Sequence, residues 1–148
     1  MAKIVLGQVN VVSRDPEASL AFYRRLGVEL PENRVWHTPS GIHHASAVER
    51  LATVTLDIDS APFAPHWNEG WKGLDNLAGR VVIGFKVPAA SDVDAIVEDM
   101  TKAGYRCLQP VWDAFWGARY AVLEDPDGIA IGIMGPISAD KRYPPPKL

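Results

Sequence analysis

The feature that most constrains how this chain can fold is a repeated helix frame. Asp15-Pro16-Glu17 opens a segment that closes at Leu26-Gly27, and Ser91-Asp92-Val93-Asp94 opens another that closes at Ala103-Gly104. Asp15 is placed to cap the first helix, and Pro16 fits a first helical position, where a missing N–H costs nothing. Gly27 suits the left-handed residue that follows a helix. Ala18, Phe22 and Leu26 recur every four residues and form one apolar stripe, while Val93, Ile96, Val97 and Met100 mark a cleaner one. The interval from Asp15 to Gly27 equals that from Asp92 to Gly104. Matching ends and matching length read as a duplicated unit.

Each helix is flanked by strand signals. Ile4–Val12 precedes the first, and Val35–Thr38, Ala45–Glu49 and Ala52–Ile58 follow it. Arg80–Val87 precedes the second, and Tyr105–Trp112, Arg119–Glu124 and Ile129–Met134 follow. Asp125-Pro126-Asp127-Gly128 joins the last two as a hairpin turn, because Pro pre-sets φ and Gly accepts a positive one. Each half therefore reads strand–helix–strand–strand–strand. The expected fold is α+β: a single domain over residues 1–148 built of module 3–59, connector 60–78, module 79–136 and a Pro-rich tail 137–148. The tail ends in Tyr143-Pro144-Pro145-Pro146, which packs on the surface or stays mobile.

Side-chain alternation assigns the sheet faces. Val9 and Val11 oppose Gln8 and Asn10; Val54, Leu56 and Ile58 oppose Thr55, Asp57 and Asp59. Val81, Ile83, Phe85 and Val87 oppose Val82, Gly84 and Lys86, and Ile129, Ile131 and Ile133 oppose Ala130, Gly132 and Met134. One face of each sheet is apolar and takes a helix. The other mixes small and polar residues, which suits a pocket better than a sealed core.

Composition removes several function classes. At 148 residues and 47% hydrophobic content, the chain can bury one core but is short for two ordinary domains. A net charge of −3 argues against a nucleic-acid partner, which would call for a basic surface. The single Cys107 permits no internal disulfide and no cysteine zinc cluster, and fits a cytoplasmic, reducing setting. No apolar run reaches the ~18 residues of a membrane span, and the first residues lack a signal-peptide pattern, so no membrane partner is expected. There is no nucleophile elbow, phosphate-binding loop or dinucleotide fingerprint. Cys107, beside Leu108 on a strand, reads as a small packed residue rather than a nucleophile. His37, His43, His44 and His66 read as surface or hydrogen-bonding groups. Adjacent His43 and His44 point to opposite faces of a strand, so at most one faces a cavity, and His37 or His43 is the candidate pocket hydrogen-bonder. Asp57, Asp59, Asp113 and Glu124 are the carboxylates that could enter a cavity.

Asp15-Pro16-Glu17-Ala18-Ser19-Leu20-Ala21-Phe22-Tyr23 with Leu26-Gly27 resembles the first-helix signature of the vicinal oxygen chelate superfamily, which includes glyoxalase I, extradiol dioxygenases and bleomycin-resistance proteins. Trp116-Gly117-Ala118-Arg119-Tyr120 leading into Asp125-Pro126-Asp127-Gly128 resembles its second signature. The likeness spans residues 4–136 and implies two βαβββ modules whose sheets curve around a shared cavity, commonly in a homodimer. It also implies four metal-ligand positions, one each on the first, fourth, fifth and eighth strands. They fall on Gln8, Thr55 (or Asp57 if the register differs by two), Val82 and Gly132. Valine and glycine side chains cannot coordinate a metal, so no metal and no other cofactor is expected.

Five Trp are many for a chain this size. Trp112-Asp113-Ala114-Phe115-Trp116 concentrates three aromatics just ahead of the second signature; Trp36 lies in the first half, and Trp67 and Trp71 lie on the connector. The run Trp112–Val122 resembles mitomycin-resistance members, in which aromatic side chains stack on a planar drug. The expected function is metal-free sequestration of a planar aromatic ligand, with antibiotics as the class the resemblance suggests. Gln8, Asn10, His43, Thr55, Asp57 and Arg119 would supply polar contacts, and Trp36, Trp112, Phe115 and Trp116 the stacking walls. The alternatives are a glyoxalase- or dioxygenase-like lyase, isomerase or oxygenase with a rearranged metal site or none, and a protein-interaction module. Core or interface filling by the Trp residues, and a structural salt bridge for Arg119, remain the plainer readings of those side chains.

Overall fold

A computed structural model describes residues 8–48, 54–66, 73 and 81–144. The chain divides into two compact units, Met1–Asp75 and Asn76–Leu148. Among the described residues each carries one α-helix and a four-stranded mixed sheet, so the fold is α+β with two βαβββ modules.

In the first unit, β1 (Gln8–Ser13) leads into α1 (Pro16–Arg25), then β2 (Val35–Thr38), β3 (Gly41–Ser46) and β4 (Thr55–Ser60). The strand order is β1-β4-β3-β2, with β1 and β4 parallel and the other pairs antiparallel. Asp15 caps α1 as the sequence predicts, its carboxylate accepting from Ala18 N–H at 3.0 Å, and Gly27 takes φ +98° just past the end. The buried stripe is wider than the every-fourth-residue pattern: Leu20, Phe22, Tyr23 and Leu26 are all packed away. They meet Val11, Ala45, Leu56 and Ile58, the sheet face that alternation assigned to a helix. A fully buried side chain of the Phe22 or Ile58 type contributes about 1.5–3 kcal/mol relative to exposure. Ser13 and Ser19, both buried, satisfy each other across this layer at 2.7 Å.

In the second unit, β5 (Val82–Lys86) leads into α2 (Ala90–Lys102), then β6 (Cys107–Ala114), β7 (Ala118–Glu124) and β8 (Ala130–Met134), ordered β5-β8-β7-β6 with β5 and β8 parallel. Val93, Val97 and Met100 of α2 are buried, as are Ala121, Leu123, Ile131 and Ile133 of the sheet. The two helices do not start alike. Asp92 is not the cap but lies inside the first turn, where its carboxylate reaches back to Ala89 N–H at 2.8 Å.

Some strand ends differ from the sequence expectation. β3 begins at Gly41, ahead of the expected Ala45, because the chain reverses at Pro39-Ser40 and Gly41 takes φ +117° there. β4 runs to Ser60, and β6 starts at Cys107 and continues to Ala114. Residues 4–7 of the first expected strand, Ala52 and Thr53, Arg80, Trp67 and Trp71 lie outside the described residues. The start of the Pro-rich tail packs on the β6–β7 turn: Ser138 N–H donates to Gly117 O at 2.9 Å, Tyr143 N–H to Phe115 O at 3.1 Å, and Tyr143 Oη to Asp113 O at 2.8 Å. Among the described residues, no helix is long and apolar enough to cross a membrane.

The β7–β8 hairpin closes as predicted. Gly128 takes φ +86°, and its N–H donates to Asp125 O at 3.0 Å. The buried Asp125 carboxylate also accepts from Asp127 N–H at 2.9 Å and Ile129 N–H at 2.8 Å. Asp125→Ala leaves those donors short of a partner, so a loss of about 1–3 kcal/mol is expected in urea unfolding. A change within ~0.5 kcal/mol would show that the turn does not depend on this side chain.

Candidate ligand-binding site

The first unit holds a groove walled by rings. Trp36 stands on β2, an edge strand, and is 48% exposed. Its ring lies 5.5 Å from that of His43 and meets Phe63 edge-on at 5.3 Å. Phe63 stacks on His66 at 6.1 Å. Local geometry fixes each wall. A bulge between Trp36 and His37 breaks the β2–β3 register, and Ser60, at the end of β4, accepts from Phe63 N–H. Both His43 nitrogens are engaged, Nδ1 with Ser60 Oγ at 2.9 Å and Nε2 with Ser40 Oγ at 2.8 Å. The imidazole is thus a held flat wall. With Thr38, Pro39, Ser40 and Pro62 these rings line an open groove of about 620 Å³, mostly bounded by carbon. That volume and lining suit a small flat ligand, since ring pairs gain about 0.5–1.5 kcal/mol beyond burial.

The face of this sheet away from α1 is polar. Asp59 is 2% exposed, and its two oxygens are used separately: Oδ1 pairs with His44 Nδ1 at 2.6 Å, and Oδ2 accepts from Asn10 Nδ2 at 2.6 Å. Ser46 Oγ donates to Asp57 Oδ1 at 2.6 Å. Thr55 is half-buried at the start of β4, opposite Gln8 in register; the Gln8 side chain lies outside the described residues. His43 and His44 do face opposite ways, His43 into the aromatic groove and His44 into the Asp59 network. His37 pairs with Glu32 at 2.5 Å on the surface.

In the second unit Trp112, Phe115 and Trp116 gather with Tyr120. Trp116 meets Trp112 at 5.6 Å, Phe115 at 4.9 Å and Tyr120 at 5.3 Å, all edge-to-face. Much of their ring area is spent on one another. The Trp112 indole N–H is buried without a hydrogen-bond partner. Arg119 turns toward α2, where it grips Asp94 with two hydrogen bonds of 2.6 and 3.0 Å and lies 3.3 Å from Asp113. Asp94 foremost, then Asp113, hold its guanidinium charged far above neutrality. The Cys107 thiol is pushed up by burial, which removes thiolate character.

The positions matching the superfamily's metal ligands do not fit a metal. Val82 and Gly132 offer no donor atom. A Cβ built on Gly132 would lie 2.7 Å from Tyr120 Oη and 3.2 Å from Val82 Cγ1, so the phenol already fills the space a ligand side chain would need. No cluster of three or more His, Cys, Asp or Glu suited to a metal occurs among the described residues.

The fold defines a small α+β protein of paired βαβββ modules, and sequence comparison agrees. A model of the Glyoxalase/Bleomycin resistance protein/Dioxygenase superfamily matches residues 5–133, and the chain belongs to that superfamily. A glyoxalase/bleomycin resistance protein/dioxygenase from Nocardioides shares its fold at TM-score 0.70 and 20% identity, over 100% of this chain and 91% of that one. TnmS3, an antibiotic binding protein from Streptomyces sp. CB03234, does so at TM-score 0.62 and 22% identity, over 92% and 98%. TioX from Micromonospora sp. ML1 does so at TM-score 0.57 and 20% identity, over 88% and 98%. No curated protein matches the sequence.

Sequence reasoning singled out Trp36 and His43, which the structure brings together. It named His44, His66 and Asp59 without their roles, the pairing of His44 with Asp59 and the place of His66 beside Phe63. It passed over Phe63 and the Tyr120 side chain. Phe63 hides in a Pro-rich connector with no periodicity to flag it. Tyr120 was legible in principle: β7 and β8 alternate, and only a glycine leaves room beside a leaning phenol. Burial raises the Tyr120 phenol above the ordinary tyrosine value near 10. Above that pH the unfolded chain loses this proton first, so the stability Tyr120 contributes is present at lower pH and lost as pH rises through its folded value. Tyr120→Phe is therefore expected to flatten the fall of Tm above about pH 10. An unchanged alkaline slope would contradict the burial of the phenol.

Proposed function

We propose that this chain binds a flat, partly polar aromatic small molecule without a metal ion and releases it unchanged, with planar antibiotic chromophores as the ligand class. The observation that carries this reading is the groove of about 620 Å³ walled by Trp36, Phe63, His43 and His66. Trp36 is 48% exposed at this groove, and its neighbours present ring faces to it. Binding in the micromolar range needs only about −8 kcal/mol, within reach of a few stacked rings. The antibiotic-binding description of TnmS3 supports the same class.

One observation favours a second reading, a metal-independent lyase or isomerase. With Nδ1–H donating to the buried Asp59, His44 keeps Nε2 as its basic nitrogen, the arrangement of a general base. Recovery of a chemically altered ligand would select this reading over sequestration.

Saturable quenching of Trp emission by planar antibiotics is expected. Trp36→Ala should weaken binding about tenfold or more while leaving the urea midpoint in place, since that side chain is half exposed. A flat response across a broad panel contradicts the proposal. Elemental analysis of protein purified without chelator is expected to show no stoichiometric Ni, Zn, Fe or Mn; one equivalent per chain overturns the metal-free part.

A further inference from the structure

The aromatic groove carries at its rim a chain of hydroxyls and an imidazole that ring stacking does not use. The β2–β3 hairpin turns through Pro39 and Ser40, and both Ser40 and His43 line the groove. Ser40 Oγ lies 2.8 Å from His43 Nε2, and Ser60 Oγ lies 2.9 Å from His43 Nδ1. Ser60 is buried at the end of β4 and accepts from Phe63 N–H at 3.2 Å, so the hydroxyl that holds the ring is itself held. Ser40 is exposed, and its backbone N–H donates to Thr38 Oγ1 at 3.1 Å. The same Thr38 hydroxyl lies 2.8 Å from Ser40 Oγ. A hydroxyl within ~3.2 Å of one imidazole nitrogen, with the other nitrogen tied to a third group, is the geometry of a nucleophile beside an oriented base.

We propose that Ser40 and His43 hydrolyse esters of small planar phenols seated in this groove. The aromatic group stacks on Trp36 and Phe63, with the ester carbonyl at the rim beside Ser40. The inference rests on the proposed function for that aromatic seat and adds a reaction to it. A ligand without an ester leaves unchanged; an aryl ester leaves as a phenol and an acid. With Nδ1–H donating to Ser60 Oγ, His43 Nε2 takes the Ser40 hydroxyl proton as Ser40 Oγ bonds to the carbonyl carbon. The bond from that carbon to the aryl oxygen breaks, the departing phenolate takes the proton from His43, and the acyl group stays on Ser40. Water then adds to the acyl carbon while giving a proton to Nε2. Ser40 leaves with that proton, and the carboxylic acid is released. His66, on the same groove, is the remaining imidazole able to donate to the carbonyl oxygen. The third member sets the substrate class. Ser60 is a neutral hydroxyl where a carboxylate would stabilise the charged imidazole, so the pair suits a phenolate leaving group better than an amide or alkyl ester. His44 takes no part, because it faces the Asp59 network.

Release of 2-naphthol from 2-naphthyl acetate by the full chain, read by fluorescence, tests the reaction. Trp quenching by 2-methoxynaphthalene, which carries no ester, measures binding alone. Saturable hydrolysis is expected. Ser40→Ala should lower kcat/KM about tenfold or more while leaving the quenching curve for 2-methoxynaphthalene in place. Trp36→Ala should raise KM for the ester. Hydrolysis that survives Ser40→Ala, carried by an imidazole alone or by another part of the chain, overturns the inference. Loss of quenching together with hydrolysis in Ser40→Ala makes Ser40 a binding contact and overturns its role as nucleophile. Saturable quenching of the wild type with no hydrolysis overturns the inference while sparing the proposed function; neither quenching nor hydrolysis counts against both.

Discussion

Parallel pairing of the first and last strand in each unit is the constraint on which the rest depends. β1 pairs with β4, and β5 with β8, in the same direction, which no tight hairpin can achieve. The chain has to cross over one face of the sheet, and a helix following the first strand does so while satisfying its own backbone. That crossover gives Phe22, Tyr23, Val93 and Met100 their burial, and it commits one face of each sheet to Val11 and Ile58 or to Leu123 and Ile131. The other face of each sheet is left without a helix of its own.

The two units use that remaining face in opposite ways. In the first, hydrogen bonds saturate it: Asp59 holds Asn10 and His44, and Asp57 holds Ser46. Its aromatic groove lies instead at the β2–β3 hairpin end, where the bulge at Trp36 and the turn through Phe63 bring rings together. In the second unit, Gly84 and Gly132 lie on the face, and the Tyr120 phenol fills the space beside Gly132. Val82 and Gly132 stand where the superfamily pattern places metal ligands, and neither side chain can coordinate one.

The fold was legible because its signals are local. Asp15, Gly27, Gly104 and the Asp125–Gly128 turn each specify a backbone conformation through their own chemistry, and alternation in β4 and β8 assigned the faces correctly. The resemblance of the helix and turn signatures supplied the superfamily, which the match over residues 5–133 shows. The site was less legible because it depends on contacts between distant positions. Nothing local to Trp36 says that Phe63, at the far side of two strands, will meet its ring edge. Nothing local to Asp59 says that His44 and Asn10 will divide its oxygens. The helix starts show the same limit on a smaller scale: identical spacing suggested identical caps, yet Asp92 bonds back to Ala89 from within the first turn.

The central claim, that ring stacking in the first unit holds a flat ligand, is tested most directly by nuclear Overhauser contacts between ligand aromatic protons and the assigned rings of the labelled protein. The account predicts contacts to Trp36 and Phe63, with the ligand signals shifted upfield by the ring currents. A bound ligand with no contact to either ring would contradict it.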